Sequence, residues 1–231
     1  MLRKNKIVDT VTLLLFIVLE AVFFVLIQIG ISGAHNYLCF SSVVLAFVYA
    51  SLVSSSKVDL WLTALALLFT VFSDYCLLLV YPEPRIIAMT FFNAVQLCYF
   101  LRLATASRSR RELVCHIAVR LFVICAAIIM ANVILSWQVD TVSLISMIYF
   151  ANLATNMLFA FYHHDKYLLF AIGLLSFACC DIFVGLGVLV NDYLRLGRDH
   201  ILWQITHSGV NFIWLFYVPS QTLIAISARG K

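Results

Sequence analysis

The chain has 231 residues, of which 64% are hydrophobic and 11% charged, and its mean hydropathy is +1.04. Such a composition cannot clothe a water-soluble surface, so it excludes the soluble classes and predicts an all-α, polytopic membrane protein. The formal net charge of +4 asks for no nucleic-acid partner, because basic loops account for it.

Apolar runs of about 17 to 25 residues are long enough for a helix to cross roughly 30 Å of hydrocarbon. Along the chain they predict a bundle of about eight transmembrane helices, at 10–30, 38–54, 58–80, 86–104, 113–136, 141–162, 167–190 and 202–227, in a single transmembrane domain, 1–231. The first run is too long for the apolar core of a signal peptide and carries Glu20 mid-way, so it reads as a retained helix. Arg3, Lys4, Lys6, Lys57, Arg102, Arg108, Arg110, Arg111, Lys166, Arg229 and Lys231 fall on the side of the N-terminus. Only Arg85, Arg195 and Arg198 fall opposite, which predicts that both termini are cytoplasmic, at the plasma membrane if the source is bacterial. The basic linker RSRRE, 108–112, also suits anionic lipid heads. Arg120, about two turns into the fifth run, reads as a side chain that snorkels back to the cytoplasmic interface.

Two carboxyls stand out. Asp74 lies within LALLFTVFSDYCLLLV and Asp181 within GLLSFACCDIFVGLGV, where an aspartate costs roughly 2.5 to 3.5 kcal/mol at the centre of a span. Intramembrane carboxyls at matching positions mark a site by default. Asp74 is followed one helix later by Gln96, and Asp181 by Gln221, which suggests two parallel four-helix repeats, 1–104 and 113–231. Gln204, His207, Asn211 and Gln221 fall on one face of the predicted eighth helix. Asn93 and Gln96 pair on the fourth, Tyr149, Asn152 and Asn156 line one stripe of the sixth, and Thr63, Thr70 and Asp74 line the third. Lipid would not tolerate such stripes, so they should converge on a polar pocket. For Asn152, Asn156 and Gln96, interhelical hydrogen bonding is an equally good reading. Glu20, near the middle of the first helix, serves either the pocket or a neighbouring helix.

Other chemistries lack their parts. The seven cysteines fall in or at the edges of the spans without paired spacing, so neither a disulfide framework nor a sulfur metal site is implied. His163 and His164 sit beside Asp165 and Lys166 at a helix end, in what reads as a solvated loop. No lysine lies mid-membrane for a retinal Schiff base, and the zincin, nucleophile-elbow and P-loop motifs are missing. No metal and no cofactor is expected. Two carboxyls in a low-dielectric pocket resist simultaneous ionisation, which leaves one acid and one base. Such a pair protonates a substrate and activates water when both reach it.

FSDYCLLL, followed by FFNAVQLCYFL, resembles the YhhN family of lysoplasmalogenase-like membrane proteins. LLSFACCDIFVGLG resembles that family's second Asp helix and FYVPSQTLIAIS its closing helix, so that the resemblance runs from the second helix onward. Ser73 stands where the family typically has Gly, and Cys180 where it typically has Ser, as in a divergent member. The resemblance implies an eight-helix topology and hydrolysis of the vinyl ether bond of a lysophospholipid. Asp74 and Asp181 would form the acid/base pair, and Asn93, Gln96, His207, Asn211, Gln221 and Glu20 would bind substrate or water. Two other classes fit the same residues: a proton-coupled lipid or small-molecule transporter, and a non-catalytic sensory or scaffold protein. The sequence does not specify an oligomeric state.

Overall fold

A computed structural model describes residues 6–54, 57–105, 109–134, 139–194 and 197–229. Arg3, Lys4, Arg108, Arg195 and Lys231, used above in the loop-charge reading, lie outside them, as does the end of the predicted fifth span at 135–136. Among the described residues, seven helices are long and apolar enough to cross a membrane. They are α1 (Lys6–Ile29), α2 (His35–Val53), α3 (Val58–Leu78), α4 (Arg85–Ala104), α5 (Arg110–Ile134), α6 (Thr141–Tyr162) and α7 (His164–Val188). A π-helical turn, Leu189–Tyr193, prolongs α7, and two shorter helices follow, α8 (Ile201–Thr206) and α9 (Phe212–Ile226).

Local chemistry sets several boundaries. Gly30 and Gly33 adopt φ of 73° and 83° in the turn between α1 and α2, a region that a side chain would strain. Asp140 caps α6 by accepting from the Ser143 backbone N–H at 2.8 Å, and its hydrogen bonds to Ser143 hold its carboxyl below the usual range. The connection at His163 and His164 is a single tight turn: α6 ends at Tyr162 and α7 begins two residues later. His164 is exposed there as expected, whereas His163 Nε2 pairs with Glu112 Oε1 at 2.7 Å.

The eighth predicted span is not one helix. Thr206 turns its hydroxyl onto the carbonyls of Leu202 and Trp203 as α8 ends, and Asn211 starts α9 by accepting from the Trp214 N–H at 3.3 Å. Ser208, Gly209 and Asn211 are helix-ending and helix-starting types, hidden from a hydropathy reading by their apolar flanks. The 15 residues of α9 span about 22 Å, short of a full crossing. Gln204, His207, Asn211 and Gln221 therefore do not share one helical face.

Six helices form a closed ring. α2 packs on α3, α3 on α4, α4 on α6, α6 on α7, α7 on α9, and α9 returns to α2. α1 lies outside against α2 and α9, and α5 lies outside against α6. Neighbour order is alike in the two halves: α1–α2–α3–α4 corresponds to α5–α6–α7–α9. The stripe Thr63, Ala66, Leu67, Thr70, Ser73 and Asp74 of α3 is buried at i, i+3, i+4 and i+7 spacing, as a helix facing a bundle interior requires. By contrast, Leu14, Leu15, Val18, Val22 and Val25 of α1 are exposed, an outer surface suited to lipid.

One end of the ring is fastened by a polar cluster. Arg102, 2% exposed, donates to the hydroxyl and the carbonyl of Ser227 at 2.8 Å each and lies 4.2 Å over the Phe170 ring. Lys166 pairs with Asp59 at 3.2 Å, and Ser54 bridges to Arg229. The last described residues thus sit where α2 ends and α3 begins. Because α1 reverses into α2 through a short turn, α1 starts at that same end.

α7 and α9 touch closely at Gly173, where an added Cβ would lie 2.9 Å from Ile224 Cγ1 and 3.2 Å from its backbone nitrogen. Gly173→Ala is expected to destabilise the protein by about 1–3 kcal/mol through overpacking. Gly185→Ala, whose Cβ would meet open space, should leave thermal stability in detergent unchanged. A fluorescence-detected melting series on both variants checks this contrast.

Candidate functional site

Asp74 reaches the bundle interior because it continues the buried stripe of α3, and it is 4% exposed. Its Oδ2 accepts a hydrogen bond of 2.6 Å from the Tyr217 hydroxyl of α9. Asp181, half-buried on α7, accepts at the same distance from the Tyr149 hydroxyl of α6. Burial of a carboxyl in hydrocarbon demands a donor, and each aspartate receives one from another helix.

The two Asp–Tyr pairs adjoin. Phe177, one turn before Asp181, has its ring 5.4 Å from that of Tyr217 and 6.3 Å from that of Tyr149. Phe92 of α4 closes on Tyr149 at 5.4 Å and on Phe177 at 6.1 Å. Asp74 lies within electrostatic reach of Asp181, and Cys180, 2% exposed, within reach of both. Two carboxyls, two phenols and a thiol thus lie about one cluster of packed aromatic rings from α4, α6, α7 and α9, with α3 supplying Asp74. No three His, Cys, Asp or Glu side chains gather to hold a metal ion among the described residues.

The remaining candidates lie apart, and none donates a hydrogen bond to either carboxyl among the described residues. Glu20, 3% exposed, accepts from Ser42 at 2.6 Å and so fastens α1 to α2. Asn93 donates to the Met89 and Ile145 carbonyls, tying α4 to α6. Gln221 is 1% exposed and donates to Ser220 at 3.2 Å. His207 is exposed and stacks on Trp203 at 4.1 Å. Asn211 caps α9 and accepts at its carbonyl from Gln28. It also lines a surface cleft of about 390 Å³ shared with Phe183, Gly187 and Asn191. Ser73, at the position noted for its departure, donates to the Ala88 carbonyl at 2.8 Å and ties α3 to α4.

Gln96 belongs to a second network. Asn156 donates to its carbonyl and side-chain oxygens at 2.9 Å each, and Arg120 donates to the side-chain oxygens of Asn152 and Asn156. Arg120 therefore does not snorkel: its guanidinium turns inward, 4.5 Å over the Phe100 ring, because two amide oxygens and an aromatic face replace water there. Asn152, Asn156 and Gln96 are interhelical hydrogen-bonding residues in this fold. Tyr149 and Tyr217, the donors to the two carboxyls, were not among the site residues of the sequence reading. The available signal was position, since Tyr149 begins the polar stripe with Asn152 and Asn156, and Tyr217 precedes Gln221 by one turn.

Arg120→Leu is expected to strand the buried Asn156 oxygen, at about 1–3 kcal/mol, to remove the partner of half-buried Asn152, and to loosen α5 from the ring. Arg120→Lys should recover only part of the loss, since an ammonium lacks the planar fork. Melting temperatures and proteolysis of α5 provide the readout.

Residues 35–228 match the model of the YhhN family. No curated protein and no solved structure matches the chain.

Proposed function

The chain belongs to the YhhN family, lysoplasmalogenase-like membrane proteins, and from that premise we propose that it is a membrane-embedded hydrolase cleaving the vinyl ether bond of a lysophospholipid. The observation that carries this reading is that Asp74 and Asp181, each held by a tyrosine hydroxyl at 2.6 Å, flank one aromatic cluster centred on Phe177. Vinyl ether cleavage needs a proton on the alkene carbon and water on the resulting oxocarbenium carbon. One protonated and one ionised carboxyl supply both without a cofactor, and the aromatic walls suit an alkyl chain. Excess Lys and Arg in the segments at the end of the ring where α1 starts and α9 finishes supports a cytoplasmic placement of that end. The cleft beside Asn211 then faces outward, where a polar head group would approach, with His207 nearby.

A transporter reading draws on one observation, the interruption between α8 and α9, since discontinuous helices serve many transporters. The corresponding α4 is continuous from Arg85 to Ala104, so the interruption is not repeated in the other half. Proteoliposome flux that follows a pH gradient would favour transport.

Purified protein in detergent should release fatty aldehyde from a lysoplasmalogen and leave an ester-linked lysolipid intact. Asp74→Asn and Asp181→Asn, each confirmed folded, should lower the rate by about 10²- to 10⁴-fold, the usual worth of a positioned acid or base. Full activity in both variants overturns the assignment.

A further inference from the structure

Similar partners hide a difference between the two carboxyls. Asp74 is 4% exposed, enclosed between α3 and α9 behind Tyr217, whereas Asp181 is half-buried on α7. Each tyrosine occupies Oδ2 alone, and no other hydrogen bond reaches either carboxyl among the described residues. That leaves Oδ1 of each aspartate free for chemistry. When one carboxyl is protonated, its Oδ2 is already accepting, so the proton resides on Oδ1. The phenols therefore select the oxygen that acts.

Resting on the hydrolase reading, we propose that Asp74 is the proton donor, Asp181 the base that takes a proton from water, and Tyr217 and Tyr149 the positioning residues that aim them. The more enclosed carboxyl delivers the proton, and the less enclosed residue supplies the base for water. The proton on Asp74 Oδ1 passes to the alkene carbon remote from the ether oxygen; the π electrons form the new C–H bond, and an ether lone pair closes the oxocarbenium ion. Water adds to the carbon that bears the ether oxygen and gives a proton to Asp181 Oδ1, leaving a hemiacetal. On collapse, the hemiacetal hydroxyl proton returns to Asp74, the C–O bond to the glycerol breaks, and Asp181 delivers its proton to the departing oxygen. Aldehyde and alcohol leave, and both carboxyls are restored.

The division of labour is tested in D₂O with a lysoplasmalogen, by mass analysis of the substrate recovered unreacted. Without the base, the oxocarbenium ion forms and reverts, so Asp181→Asn should place deuterium on the vinyl carbon of recovered substrate while releasing little aldehyde. Asp74→Asn should do neither. Tyr149→Phe keeps both carboxyls, which makes it the working variant should Asp181→Asn fail to fold. It should lower aldehyde release about tenfold or more and introduce the same deuterium, whereas Tyr217→Phe should slow release without exchange. A purely structural role for the tyrosines would slow release without this asymmetry. Exchange by Asp74→Asn, or by none of the variants while the native protein releases aldehyde, overturns the assignment and leaves the hydrolase reading intact. No aldehyde from the native protein overturns the hydrolase reading itself, and the assignment with it.

Discussion

A carboxyl inside hydrocarbon must be supplied with a donor, and where the chain finds that donor decides much of this architecture. Asp74 and Asp181 cannot be satisfied by their own helices, whose backbone groups are already spent on i→i−4 hydrogen bonds. Each draws a tyrosine from a different helix: Tyr217 from α9 and Tyr149 from α6. One bond reaches past α2 from α3 to α9 and the other joins the neighbours α6 and α7, and together they fix how deep and at what rotation the four helices meet. Phe177 and Phe92 then fill the space between the phenols. The same aromatic groups that satisfy the acids also surround them with apolar surface, which strengthens every electrostatic interaction within.

The two helices outside the ring obey the same rule with opposite charges. α1 is fastened by Glu20 to Ser42, and α5 by Arg120 to Asn152 and Asn156. In lipid there is little hydrophobic drive for helix association, so such polar contacts, close packing at small residues such as Gly173, and ring stacking carry the assembly. Arg102 repeats the pattern at the end of the bundle, holding the last turn of the chain through Ser227.

Much of this was legible in the sequence. Seven spans, the two intramembrane aspartates and the family followed from apolar run length, misplaced charge and short motifs. The eighth span misled because mean hydropathy counts Ile201, Trp203, Phe212 and Trp214 and overlooks that Ser208, Gly209 and Asn211 between them end one helix and start another. Arg120 was misread because a snorkelling side chain and an inward one share the same sequence position; only the neighbouring helix, with Asn152 and Asn156 at the right height, decides between them. Tyr217 escaped notice, and Tyr149 was read only as part of a polar stripe, for a related reason. Tyr is common in membrane helices, and its hydroxyl becomes informative only once a carboxyl is known to lie 2.6 Å away.

The Asp74–Tyr217 bond spans 143 residues of chain, the Asp181–Tyr149 bond only 32. Synthesis at about 5–20 residues per second separates Asp74 from its phenol by roughly 7 to 30 s, during which α3 is already made and α9 is not. Through that interval the first aspartate waits without its partner, and the ring stands open between α2 and α7. The Asp74–Tyr217 contact therefore waits for α9, and a ribosome that stops short of α9 leaves behind a carboxyl in lipid without the phenol that this helix supplies.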